Sequence, residues 1–153
     1  MRLVMGVSAD GFVSKGPKDK MEWLGLNDKK AFQLLTVAGS GVCGGSARTL
    51  NLMPMHLKGR QLVRITRTNF CLEAFAQRYG PDCTLLGGQT LAIAAFEKDL
   101  ISAVHLCRSD RECKKGQEDL ITLGLQWNEW PKKFFLDAEM RLGDTNVETW
   151  RTS

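Results

Sequence analysis

The sequence predicts an α/β fold: a mostly parallel central sheet, helices on both of its faces, and an antiparallel C-terminal edge. Three observations carry this. Between Leu3 and Cys107, short apolar runs of strand length alternate with longer segments whose apolar residues recur at helical spacing. Parallel strands need crossovers that cover the sheet faces, so this alternation implies flanking helices. Glycine pairs at Gly44-Gly45 and Gly87-Gly88 each stand between an apolar strand and a helical stretch. Beyond Glu112 the alternation loosens. The last third holds Trp127, Trp130, Phe134, Phe135 and Trp150 around a turn-like Gly143-Asp144-Thr145-Asn146, the pattern of antiparallel strands finishing a sheet.

Leu3 to Ala9 is an apolar run ended by Asp10-Gly11, which suits a buried strand in mid-sheet. Phe12 to Lys20, rich in Gly, Pro, Lys and Asp, has no periodicity and reads as a loop leading to Met21-Glu22-Trp23. Asn27 or Asp28 can cap a helix, along which Ala31, Leu34, Leu35 and Ala38 mark one face until Gly39-Ser40-Gly41 stops it. Val42-Cys43 begins the next strand, and a second helix starts within Gly44-Gly45-Ser46-Ala47-Arg48-Thr49. Leu62 to Thr66 is a β-branched strand, and Leu72 to Arg78 is helical in pattern. Thr84 to Leu86 is a strand, Thr90 to Phe96 an apolar helix, and Ala103 to Cys107 a further strand. No internal repeat is present.

With 153 residues and 43% hydrophobic composition, the chain matches one domain, residues 1–153, able to bury roughly two thirds of its unfolded surface. The net charge of +4, from 21 basic and 17 acidic residues, suits an anionic small ligand and does not call for nucleic acid. No apolar run is long enough to span a membrane, and Met1 to Gly6 carries no signal-like stretch, so a cytoplasmic protein is expected. Cys43, Cys71, Cys83, Cys107 and Cys113 contain no CxxC pair and read as reduced thiols. With two histidines far apart, His56 and His105, no metal site is expected.

The two glycine stretches are the first candidates for chemistry. Glycine lets backbone approach a phosphate, and a helix N-terminus offers N–H donors with a favourable dipole, so the pair suits a pyrophosphate. The same glycines also serve a tight strand-to-helix turn. Arg48 and Arg67 each follow a strand end, where guanidinium groups can hold a further phosphate or simply lie solvated on the surface. Neither stretch is the GxGxxG fingerprint or a P-loop, which disfavours an ordinary Rossmann dehydrogenase or an NTPase. Asp28, Phe32 and Thr36 fall on one helical face five residues and more after Trp23. A carboxylate among apolar neighbours in a cleft pairs with a protonated heterocycle and has its pKa raised by desolvation, although a helix cap is the simpler use of Asp28.

In this order and spacing the residues resemble the dihydrofolate reductase superfamily. Trp23, Asp28, Phe32 and Thr36 are similar to the family's tryptophan, pterin-binding acid, ring-packing phenylalanine and following threonine. Thr49 resembles its cofactor-loop threonine, Leu57-Lys58-Gly59-Arg60 its leucine-x-glycine-arginine, and Leu86-Gly87-Gly88 its glycine pair. The resemblance spans about residues 3 to 107. It implies a dihydrofolate reductase-like three-layer fold and NADPH-dependent reduction of 7,8-dihydrofolate or a related pterin by a monomer. Asp28 and Trp23 would be the catalytic pair. Val4, Met5, Phe32, Thr36, Met53, Leu57, Arg60 and Leu86 would meet the substrate, with Arg60 on the carboxylate of the folate tail. Gly6, Val13, Gly45, Ser46, Ala47, Arg48, Thr49, Thr66, Arg67, Gly87, Gly88, Gln89 and Thr90 would meet NADPH.

Several positions depart from that pattern. Glu22 precedes the tryptophan, Gln89 replaces a third glycine, Ala92 replaces an aromatic residue, and the cofactor turn carries one extra residue. The opening Ser8-Ala9-Asp10-Gly11 is more similar to the riboflavin-pathway reductase branch. A reductase of a ribosylaminopyrimidine is therefore the alternative substrate reading, and a nucleotide-binding module without turnover is a third.

Overall fold

The computed structural model describes residues 1–11, 25–52, 59–112 and 133–152. They form a seven-stranded sheet in the order β3-β2-β4-β1-β5-β7-β6. The elements are β1 Arg2–Val7, α1 Leu26–Val37, β2 Val42–Gly45, α2 Ala47–Asn51, β3 Gln61–Arg64, α3 Leu72–Tyr79, β4 Thr84–Gly87, α4 Gln89–Glu97, β5 Ala103–Ser109, β6 Phe134–Leu142 and β7 Thr145–Thr152. β1 to β5 pair in parallel, while β7 runs antiparallel to both β5 and β6. The expected α/β architecture with an antiparallel C-terminal edge is what the chain adopts.

Helices cover both faces of the sheet. On one, Leu3, Met5 and Val7 of β1, Leu85 of β4 and Val104 and Leu106 of β5 form a core with Leu72 and Phe75 of α3 and Ala92 and Ala95 of α4. On the other, Ala31 and Leu35 of α1 pack on Cys107 and Val147. Residues alternate along each central strand between these two cores, which is why β1 and β5 read as continuous apolar runs. Ala92, which departs from the family's aromatic, is completely buried in the first core. Leu34 differs from the expected helix face: it is 65% exposed, because α1 turns Asp28, Ala31 and Thr36 inward.

Helix boundaries also differ at α1. Its N-cap is Gly25 at φ +99°, so Asn27 and Asp28 lie inside the first turn and neither caps the helix. At the other end α1 has no basic residue in its last turn. Distant arginines supply that charge. Arg2 donates to the carbonyls of Leu35 and Ala38, both at 3.0 Å, and Arg60 donates to the carbonyl of Gln33 at 2.6 Å. Cations at carbonyls left without helical partners complement the helix dipole. Arg2 further donates from Nε to His105 Nε2 at 3.2 Å, which places the ring proton on Nδ1, facing Thr149 Oγ1 at 3.0 Å.

The C-terminal hairpin turns at Gly143-Asp144, with Gly143 at φ +58° in the first central position, where a two-residue turn matched to strand twist needs a positive φ. Cys43, Cys71, Cys83 and Cys107 are free thiols. Among the described residues no helix is long and apolar enough to cross a membrane.

Gly44 shows how closely the first core is packed. A Cβ there would stand 2.6 Å from Phe75 Cζ and 2.7 Å from Ile65 Cδ1, and Phe75 has no exposed surface into which to move. Gly44→Ala is expected to lower unfolding stability by roughly 1–3 kcal/mol, the cost of overpacking a filled core. A urea midpoint unchanged from the parent chain would contradict this packing account.

Candidate functional site

The carboxyl ends of the parallel strands meet where the candidate residues cluster. Gly45 at the end of β2 lies in register with Gly87 at the end of β4, just past a register shift between Gly44 and Gly45. The Ser46 N–H donates to the Gly87 carbonyl at 3.2 Å, so the two glycine turns are directly joined. The Gly87–Gly88 peptide is cis, and Gly87 has φ +103°. A Cβ on Gly45 would approach the Gly87 carbonyl to 3.1 Å, one on Gly88 the Thr49 hydroxyl to 3.2 Å, and one on Gly87 the Met5 methyl to 3.3 Å. Backbone approaches that a side chain would obstruct are what a cofactor lying against main chain requires.

The helix ends at these turns differ. In α2 the N-cap Ser46 accepts from the Thr49 N–H at 3.3 Å, which satisfies one orphan donor. In α4 the N-cap is Gly88, which has no side chain to make a capping hydrogen bond. Arg48 and Arg67 are exposed beside the ends of β2 and β3. The Thr66 hydroxyl accepts from the Asn69 and Phe70 N–H groups, both at 2.9 Å, and so shapes the loop that carries Arg67.

Asp28 stands on the other side of β1. It is buried, and among the described residues its Oδ1 is the one buried side-chain oxygen or nitrogen without a hydrogen-bond partner. Burial, followed by repulsion from Asp144, pushes its carboxyl up to about 6, against a smaller opposing effect of Lys29. Cys107 on β5 lies close enough to feel the same charge: burial first, and then Asp28, raise its thiol to about 12. A carboxyl poised near neutrality and with one buried oxygen unpartnered is suited to meet a ligand's donor–acceptor edge or to hold a proton.

The remaining candidates separate by exposure. Val4, Met5 and Leu86 are buried at the strand ends below the turns, and Gly6 and Phe32 are half-buried. Thr36 is completely buried; its hydroxyl donates to the Phe32 carbonyl at 2.7 Å and accepts from Arg60 Nε at 2.7 Å. It therefore acts on Arg60 and not on a ligand. Ala47, Gln89 and Thr90 lie in the first turns of α2 and α4. Trp23, Val13, Met53 and Leu57 lie outside the described residues.

Two residues of this neighbourhood were missed by sequence reasoning. Asp144 was legible only as part of a turn, yet it accepts from Asn27 Nδ2 at 3.0 Å beside Asp28. Arg111, in a stretch without periodicity, pairs with Asp144 at 3.4 Å. No local signal connects positions so far apart in sequence. A separate cleft of about 530 Å³, lined by Arg2, Asp82, His105 and Arg151 among others, opens at the opposite, N-terminal ends of β1 and β5. Arg2 is already committed to α1, Thr84 and His105, and Arg151 pairs with Asp137, so this cleft is not the candidate site.

No family model matches the chain, and no curated protein matches its sequence. Among solved structures the chain is similar to Acinetobacter baumannii RibD, form 1, with a TM-score of 0.68 at 12% sequence identity. The similarity covers 99% of this chain and 57% of that one, so the chain spans little more than half of the RibD chain. The shared feature is the fold, and the fold is dihydrofolate reductase-like.

Two of the buried titratable groups, Asp28 and His105, pull stability in opposite directions. Asp28, raised to about 6 from 3.8, contributes stability that is complete below pH 3.8 and is lost as pH rises through about 6. His105, lowered to about 4 from 6.5 by burial and then by Arg2, contributes stability that is complete above pH 6.5 and is lost as pH falls through about 4. Each effect is worth roughly 2–3 kcal/mol, so between pH 4 and 6.5 they largely offset. Asp28→Asn is expected to raise unfolding stability by roughly 2 kcal/mol above the Asp28 pKa and to uncover the acid decline of His105. Urea midpoints measured on both sides of this window test the pair. A variant no more stable than the parent at the alkaline end would contradict the burial cost assigned to Asp28.

Proposed function

We propose that the chain is an NADPH-dependent reductase of a small heterocyclic substrate, and that a ribosylaminopyrimidine of the riboflavin-pathway type is a better substrate reading than dihydrofolate. One observation carries the reductase reading. A buried carboxyl with one oxygen unpartnered among the described residues and a pair of joined glycine turns stand on either side of β1 at the carboxyl end of the parallel sheet. That is where ligands bind in open α/β sheets. The substrate preference rests on the likeness in fold to RibD and on the opening Ser8-Ala9-Asp10-Gly11, in which Ser8 is buried and donates to Asp10 at 2.5 Å.

The residues present suit the cofactor. The places where a Cβ on Gly45, Gly87 or Gly88 would intrude form a cradle against main chain, and α4, opening with Gln89 and Thr90 directly after Gly88, turns the positive end of its dipole toward it. Ser46, Ala47 and Thr49 would border the same group, and Arg48 and Arg67 would hold its additional phosphate. NADPH, when bound, supplies the reducing equivalent. Val4, Met5 and Leu86 exclude water from the floor of the crevice. Asp28 orients the heterocycle by hydrogen bonding, and with its carboxyl near 6 it keeps a proton within reach of a ring nitrogen. Arg60, held by Thr36 and Gln33, presents its guanidinium to an anionic group of the substrate, a phosphate in the favoured reading.

Dihydrofolate remains the second reading because Asp28 and Phe32, followed by Arg60 held in place by Thr36, suit a pterin with a carboxylate tail. Loss of NADPH absorbance with each substrate separates the two. The pyrimidine is expected to support turnover and dihydrofolate to be slower, and dihydrofolate turnover blocked by an antifolate would reverse that order. NADPH binding without oxidation by any pterin or pyrimidine would leave a nucleotide-binding module and overturn the enzyme reading.

Two substitutions divide the site. Asp28→Asn is expected to lower turnover about 100-fold at neutral pH while the Kd for NADPH stays unchanged, because the carboxyl meets only substrate. Unchanged turnover would remove Asp28 from the mechanism. Gly88→Val is expected to weaken NADPH binding at least about tenfold, since the added side chain meets the Thr49 hydroxyl and fills the cradle. Fluorescence titration with NADPH measures this, and undiminished affinity would place the cofactor elsewhere.

A further inference from the structure

The tip of the β6–β7 hairpin is clamped on the first turn of α1. Asn27 Nδ2 donates to Asp144 Oδ1 at 3.0 Å, and a Cβ on Gly143 would run into the Asn27 carboxamide. Arg111 pairs with Asp144 at 3.4 Å, and its guanidinium lies against Gly25, 3.1 Å from where a Cβ would stand. The Asp110 N–H donates to the Asp144 carbonyl at 2.9 Å, and the Ala9 N–H to the Arg111 carbonyl at 2.8 Å, so the ends of β1 and β5 are fastened to the same point. These contacts hold the Asp144 carboxylate on Asn27, the residue directly before Asp28, whose own carboxyl α1 buries.

The geometry points to Asp144 as the positioning residue that governs the proton on Asp28, with Arg111 as the counter-charge that limits its influence. This rests on the reading of Asp28 as the acid of the site. The hydrogen bond from Asn27, and then the Arg111 charge, hold the Asp144 carboxyl below the usual carboxylate range. It therefore stays ionised while Asp28 titrates. Two like charges at one helix turn cannot both be accommodated cheaply, and the buried one takes the proton. The other groups facing Asp28 do not replace this effect. Cys107 on β5 is a neutral thiol, Lys29 on α1 is exposed and opposes the shift, and Arg2 of β1 and His105 of β5, which bond each other on that face, sit at the far end of α1, where Arg2 is engaged by the Leu35 and Ala38 carbonyls.

The two partners of the ion pair give opposite expectations. Asp144→Asn keeps an acceptor for Asn27 but removes the charge, and should lower the Asp28 midpoint by on the order of half a pH unit. Arg111→Gln leaves the Asp144 charge unopposed and should raise that midpoint. Carboxyl-carbon NMR titration of the full chain reads both, the Asp28 signal being identified by its loss in Asp28→Asn. With substrate, the Asp28-dependent limb of the turnover–pH profile should move in the same two directions while the KM for NADPH holds. An Asp28 midpoint unmoved by Asp144→Asn, or moved the same way by both variants, would overturn the proposal, since a merely structural role has no sign. If instead Asp28→Asn retains full turnover, the reading of Asp28 as the acid fails while the titration result stands by itself.

Discussion

A carboxyl group withdrawn from water without a partner is among the costliest things a small domain can carry, and the neighbourhood of Asp28 is organised around it. Gly25 starts α1 early enough to bring Asp28 into the first turn facing the sheet, where Ala31 and Cys107 bury it. The charged neighbour that acts on it most is another carboxylate, Asp144, so the surroundings raise its proton affinity instead of relieving the charge. Arrangements that spend stability in this way are characteristic of functional sites, where a group tuned away from its ordinary pKa is the point of the structure.

The rest of the architecture supplies the other half of the crevice. Because β4 is inserted between β2 and β1, the Gly44-Gly45 and Gly87-Gly88 turns come to lie side by side, although more than one crossover separates them in sequence. The first core fixes them from below. Gly44 rests on Phe75, Gly87 on Met5, and α4 is drawn onto the sheet by the buried Ala92 and Ala95. Arginines from β1 and from the approach to β3 satisfy the C-terminal carbonyls of α1, which holds that helix, and Asp28 with it, at a set height over the sheet.

Positions that read as departures from a folate reductase have structural meaning here. Ala92 belongs to the packed interior between α4 and the sheet. Gln89 opens α4 directly after the glycine pair, so the helix N-terminus begins where a third glycine would otherwise extend the loop. Thr36, expected beside a ligand, is sealed inside and serves Arg60.

The sequence by itself determined the succession of strands and helices, the parallel body and antiparallel edge, the two glycine turns and the candidacy of Asp28. These are local properties: apolar periodicity, glycine at strand ends and a turn-forming Gly143-Asp144 are each written within a few residues. It misplaced the start of α1, because a polar residue able to cap cannot be distinguished from one buried in the first turn until the partner of that turn is known. Only the tertiary structure decided that Gly45 meets Gly87, that Thr36 reaches Arg60 and not the crevice, and that Asp144, paired with Arg111, bonds Asn27 next to Asp28. Burial and charge proximity depend on which distant segments the sheet order brings together, and no spacing along the chain encodes that directly.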